Sequence, residues 1–75
     1  MLARPQLDAE VFLLRGEKSI DSLRERMRLS AAPQRHVYYG MALGLVSALR
    51  QAELIDQADF DRRSEALTAD LGADG

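Results

Sequence analysis

Cysteine and tryptophan are absent from this sequence of 75 residues, proline occurs only twice, and the aromatic residues make up 5%. Without cysteine, neither a disulfide nor a thiolate metal site can supplement the hydrophobic core. A chain of this length forms one domain, 1–75, and buries only about 60% of the surface that it exposes when unfolded. Oligomerisation is the remaining common way to stabilise such a small core, so we expect a homo-oligomer.

Long apolar segments are also missing. The uncharged segment 37–49 is well short of the roughly 20 residues that span a bilayer, and residues 1–5 lack the apolar run of a signal peptide. We therefore expect a cytoplasmic protein without a membrane anchor, frayed at 1–5 and 73–75. The net charge is −2, with +2 on residues 1–36 and −4 on residues 37–75. This asymmetry is compatible with antiparallel pairing and is too small to indicate a nucleic-acid surface.

The uncharged segment lies within the strongest predicted helix, 33–53. Pro33 suits the first turn of a helix, where its missing N–H costs nothing. On a helical wheel of about 100° per residue, the apolar side chains cover more than half of the circumference. A helix of this kind must be covered by neighbours. We therefore expect it to be buried on most sides, with the other helices packed around it.

A row of small residues runs along this helix. Gly40 and Gly44 lie one turn apart, Ala48 continues the row, and Tyr39 lies beside it. Each glycine costs roughly 1 kcal/mol relative to alanine in a helix interior. Small residues in a row let a second backbone approach closely. Two interpretations remain open, a tight crossing within the chain and a seam between the subunits of a homodimer.

Two shorter helices are predicted before the central one. The first, 6–15, ends at Gly16, and the second, 20–29, begins after Ser19 as its N-cap. The apolar run 11–14 could also form a short strand. No second convincing strand exists to pair with it, so the helix is preferred.

The last predicted helix is 57–71. Asp56 precedes it as an N-cap, Asp59 adds a carboxylate to its first turn, and Gly72 is placed to end it. Its buried stripe consists of Phe60, Leu67 and Leu71. The predicted fold is thus all-α, a compact bundle of about four helices around the long apolar helix.

Three arginines form a candidate patch for an anion or a partner protein. Arg24 and Arg28 lie on the second predicted helix and Arg35 near the start of the third. The alternative is that they are part of an ordinary solvated surface. His36 has no second ligand or nucleophile near it in sequence, so we interpret it as a structural or surface residue.

Residues 49–67 contain a recognisable succession of residue types: Leu54, Ile55, Asp56, Asp59, Phe60, Arg62, Arg63 and Leu67. This succession resembles the SHOCT family, the short C-terminal domains of many bacterial proteins. That family has a helix, a tight turn followed by Leu/Ile-Ile-Thr/Ser, then acidic residues, phenylalanine, a basic pair and leucine. Glu53 stands where the family normally has glycine. The resemblance covers about a quarter of the chain and implies an oligomerisation or interaction hairpin without catalysis.

The favoured function is a small protein–protein interaction module. The apolar helix, the row of small residues and the lack of catalytic chemistry favour a homodimer that binds a partner protein and adapts or inhibits it. Small free-standing proteins of this type often come from phages or mobile elements.

Two other function classes fit less well. Residues 20–29 and 34–53, joined by the Ser30–Pro33 turn, could form a helix-turn-helix regulator, but few polar side chains near the start of its second helix could read bases. They are Gln34, Arg35 and His36. An enzyme is disfavoured, because the densest carboxylate group is explained by capping and lacks a calcium-loop pattern. We expect no catalytic residue, no metal and no cofactor.

Overall fold

The computed structural model describes residues 4–72, with side chains from residue 8 onward. This range contains three α-helices and no strand: α1 (Arg4–Leu29), α2 (Gln34–Gln51) and α3 (Gln57–Leu71). The all-α class is confirmed, and the prediction of four helices is wrong. The expected fraying at 1–3 and 73–75 lies outside the described residues, whereas Arg4 and Pro5 are already helical.

The two predicted N-terminal helices are one continuous helix, α1. Gly16 lies within this helix and does not end it. A Cβ at this position would lie only 3.1 Å from Leu49 Cδ2 on α2. The glycine instead allows α1 and α2 to approach closely. Ser19, the predicted N-cap, is exposed within α1, where its hydroxyl is solvated and the helix continues.

The predicted central helix is α2, but it is not buried on most sides. Its buried apolar residues Ala42, Val46 and Leu49 lie along one side, whereas Val37 and Met41 on the other side are 57% and 53% exposed. α2 packs against both α1 and α3. The apolar side chains of α2 span more than half of its circumference, and its two neighbours in the described chain cover only part of that surface.

The core lies where the three helices meet. Its buried apolar residues are Ile20, Leu23 and Met27 from α1, Ala42, Val46 and Leu49 from α2, Ile55 from the connection and Leu67 from α3. Tyr38, Tyr39, Phe60 and Leu71 are partly buried against this cluster, which confirms the predicted stripe of the last helix. Both tyrosines thus contribute to the edge of the core.

The N-terminal half of α1 extends past the core. α1 has 26 residues and α2 has 18, so α1 is longer by about 12 Å. Gly16 already contacts Leu49 near the end of α2, so the preceding turns of α1 lie beyond that end. Val11, Phe12 and Leu14 are about half exposed there. The described chain is correspondingly elongated, at 47 × 20 × 15 Å.

Side chains and backbone groups cap the helix ends at the two connections. Arg35 donates hydrogen bonds to the carbonyl oxygens of Met27 at 2.9 Å and Ser30 at 2.6 Å, which satisfies acceptors left at the end of α1. Asp56 caps α3 as predicted, since its Oδ1 accepts from the Asp59 N–H at 2.8 Å.

The α2–α3 connection is a Schellman turn. The Leu54 N–H donates to the Leu49 carbonyl oxygen and the Glu53 N–H to that of Arg50, both at 3.0 Å. Glu53 has φ 60°, the left-handed conformation that this motif requires after the helix. The turn directs Leu54 and Ile55 toward the core, where Ile55 is buried.

Candidate functional site

The side of the α1–α2 pair that faces away from α3 is open and largely apolar. Two adjoining grooves of about 300 and 460 Å³ run along it. No residue of α3 lines either groove. We refer to this surface as the α1–α2 face. Its main residues are Phe12, Ser19 and Ser22 from α1 and Met41, Leu45 and Ala48 from α2.

The predicted row of small residues lies at the edge of this face. A Cβ added at Gly40 or Gly44 would meet no atom within 4 Å, so the interpretation as a tight crossing within the chain is wrong for the described residues. Ala48 is exposed and lines a groove, whereas Tyr39 packs against the core. The seam between subunits stays a prediction.

The three arginines of the predicted patch do not form one site: Arg24 and Arg28 meet at Asp70, whereas Arg35 is bonded elsewhere. Arg24 Nε lies 2.5 Å from Asp70 Oδ2 and Arg28 Nη1 lies 3.4 Å from the same oxygen. The hydrogen bond to Asp70 raises the pKa of the Arg24 guanidinium above its ordinary value. Arg35 is 6% exposed and is bonded to carbonyl oxygens at the end of α1. All three guanidinium groups therefore have partners within the chain.

The opposite side of the molecule, between α1 and α3, carries paired charges. A cavity of about 310 Å³ there includes Arg24, Arg62 and Arg63 in its lining. Arg62 and Arg63 pair with Asp59, and Arg63 also lies 3.3 Å from Glu17. Because acidic groups balance these arginines, this side does not form a basic surface.

Sequence reasoning did not single out Phe12 or Asp70. Asp70 is a buried acidic residue, and its arginine partners are distant in sequence, so no local pattern reveals it. Phe12 lies on a second stripe of α1 with alternating spacings of four and three residues. These positions share one side of α1, but Phe12 is the only apolar residue among them, so no hydrophobic pattern in the sequence marks this side. The stripe consists of Asp8, Phe12, Arg15, Ser19, Ser22 and Arg26.

No metal centre or membrane span is present in residues 4–72. No group of three or more histidine, aspartate or glutamate side chains in this range could hold a metal ion. None of the three described helices is both long and apolar enough to cross a bilayer.

No protein-family model, curated protein or solved structure matches the chain. The resemblance to the SHOCT family thus depends on residues 49–67 alone and stays a prediction. These residues do form a turn between two helices, and the position where the family normally has glycine, Glu53, has positive φ.

Proposed function

We propose that this chain is a small non-enzymatic interaction module that forms a homodimer and binds a partner protein in the cytoplasm, which it adapts or inhibits. The observation that carries this proposal is the uncovered α1–α2 face. Phe12 and Met41, which line its two adjoining grooves, are each more than half exposed, and exposed apolar patches mark interaction sites in small soluble domains. A phage or mobile-element origin remains part of the proposal.

The position of Arg35 favours an interaction module over a helix-turn-helix regulator. In the alternative, this cation near the start of the second helix would contact bases or phosphates. It is buried and caps α1, which leaves Gln34 and His36 as the exposed polar residues at that helix start. Binding to DNA that weakens steeply with salt would support the regulator instead.

Sedimentation equilibrium between roughly 1 µM and 1 mM protomer tests the dimer directly. We expect a reversible monomer–dimer equilibrium. A single species of monomer mass over the whole range would contradict the homodimer.

A pull-down from the native host tests the partner. Met41→Glu places a charge on the α1–α2 face, and Ala69→Glu places the same charge on an exposed position of α3. We expect wild type and Ala69→Glu to retain the same protein and Met41→Glu to lose it. Equal retention by all three would show that the α1–α2 face is not the binding surface.

A further inference from the structure

We propose that a second copy of this chain occupies the α1–α2 face, docked antiparallel so that Asp8 of each copy pairs with Arg26 of the other. This inference rests on the homodimer of the proposed function and specifies its interface. It follows from the order of side chains along the α1 stripe.

Asp8 and Arg26 are the outermost residues of that stripe. Both are exposed, and their positions differ by 18 residues, which is five helical turns or about 27 Å. They therefore lie on the same side of α1. A two-fold axis that crosses α1 at the level of residue 17, midway between Asp8 and Arg26, would bring Asp8 opposite Arg26 of the second copy. This pair would form twice. A parallel arrangement would instead place Asp8 opposite Asp8 and Arg26 opposite Arg26, which are repulsive contacts.

The same register matches the shape of the face. It places Phe12 opposite Ser22 of the second copy, beside the groove of about 460 Å³ that Met41 and Leu45 help to line. Ser19, a small residue of the stripe, lies near the axis, where the helices must approach. The extended N-terminal half of α1, with its half-exposed Phe12, would thus cover the open groove of the second copy.

The charged side chains on and beside the face all belong to α1. The stripe contributes Asp8, Arg15 and Arg26, Lys18 also lines the larger groove, and α2 contributes no charged side chain to either groove. Arg26 also lies over the Tyr38 ring at 5.9 Å from its centroid, which positions its guanidinium at the edge of the face. The Asp8–Arg26 pairs at the two ends of the interface are the charge complementarity that favours a second copy over an unrelated protein. Arg15 and Lys18 are exposed and lie nearer the axis.

Charge exchange tests the register. Asp8→Arg and Arg26→Asp alone would each turn two attractive contacts into two repulsive ones, and we expect at least about a tenfold rise in the dimer dissociation constant. An equimolar mixture of these two variants would restore both pairs, so we expect a heterodimer close to wild type in affinity. Glu10→Arg is the matched control, since Glu10 is exposed and lies roughly 200° from Asp8 around α1.

The measurements are sedimentation equilibrium for mass and native mass spectrometry for the mixed species. A wild-type dimer whose affinity is unchanged in both single variants would overturn the register and leave the homodimer intact. A mixture that forms no heterodimer would do the same. Wild type that stays monomeric to about 1 mM would overturn both this inference and the homodimer, and another protein would then occupy the face.

Phe12→Ala gives an independent test through the apolar contact. Phe12 is 54% exposed, so circular dichroism and the urea midpoint of the diluted protein should change little. The dimer dissociation constant should rise about tenfold, because the apolar ring would no longer cover the groove. An unchanged constant in a folded variant would overturn the placement of Phe12.

Discussion

Glu53 holds the end of α2 in a conformation that a side chain disfavours. Its φ of 60° costs roughly 1–2 kcal/mol for a residue with a Cβ, whereas glycine adopts it freely. Because the turn also requires this conformation for its two 3.0 Å hydrogen bonds, relaxation to another φ would break the cap.

We expect Glu53→Gly to raise the free energy of unfolding by about 1 kcal/mol, as measured by urea titration. Glu53→Ala is the matched control, since it removes the carboxylate and keeps the Cβ, and it should change the stability little. Equal effects of the two substitutions would show that the charge, and not the backbone, determines the result.

Gly16 and Gly40 should respond in opposite directions to alanine. At Gly40 a Cβ meets no atom within 4 Å, so alanine should stabilise α2 by about 0.5–1 kcal/mol through helix propensity. At Gly16 the Cβ would press on Leu49, which is 1% exposed and has little room to move. Overpacking of about 1–3 kcal/mol should offset the propensity gain and leave Gly16→Ala neutral or destabilised.

Thermal or urea unfolding of the diluted protein compares the two glycine variants. If Gly16→Ala is as stabilising as Gly40→Ala, then α1 and α2 do not approach closely at this point. If Gly40→Ala is destabilising at high concentration only, the row of small residues is itself a contact between subunits.

These residues also show which local features the sequence could predict. The cap at Asp56 was predicted correctly, because it depends on a hydrogen bond between neighbours in the chain. Gly16 was interpreted as the end of a helix, because glycine is equally suited to helix ends and to close helix contacts. Only the position of Leu49 on another helix decides between these roles, and that position is a tertiary property.

At the scale of the helices, Asp70 fastens the end of α3 to α1. Its side chain is 12% exposed and accepts hydrogen bonds from the guanidinium groups of both Arg24 and Arg28. Hydrogen bonds to charged groups contribute about 1.5–3 kcal/mol when buried, and the partial exposure of the two arginines reduces this value. These contacts join positions that lie more than 40 residues apart in sequence, so they constrain the packing of the two helices.

We expect Asp70→Asn to lower the free energy of unfolding by about 1 kcal/mol and to speed amide exchange in the last turn of α3. The amide keeps the size of the side chain and removes its charge. Asp61→Asn is the control, because it makes the same chemical change on an exposed residue of α3. If the two variants unfold at the same urea concentration, then the arginine contacts do not stabilise the fold.

The type of element was easier to predict than the number of helices. The sequence correctly predicts helix over 6–15 and over 20–29, since both ranges are helical in α1. Helix α1 does not stop between them, but their apolar residues lie on opposite sides of it: Ile20, Leu23 and Met27 are buried, whereas Val11 and Leu14 are about half exposed. The apolar content of α2 predicted covering neighbours, but the described chain supplies them on one side only. A helical pattern predicts an apolar surface, but it does not identify the element or molecule that packs against it.

At the scale of the whole molecule, a small core and an open apolar face make stability depend on association. The described chain has one cluster of eight buried apolar residues, and its longest helix extends beyond the others. If a second copy covers the α1–α2 face, the native state gains stability with protomer concentration by mass action.

We therefore expect the melting temperature of the wild type to rise by about 3–5 °C for each tenfold increase in concentration, because each decade adds roughly 0.7 kcal/mol per protomer of a dimer. Glu10→Arg should show the same dependence, and Asp8→Arg should show almost none until the concentration exceeds its weaker dissociation constant. The mixture of Asp8→Arg with Arg26→Asp should recover the wild-type slope. Differential scanning calorimetry at several concentrations measures all four slopes, and a wild-type midpoint that does not move with concentration would show that the monomer is the stable unit.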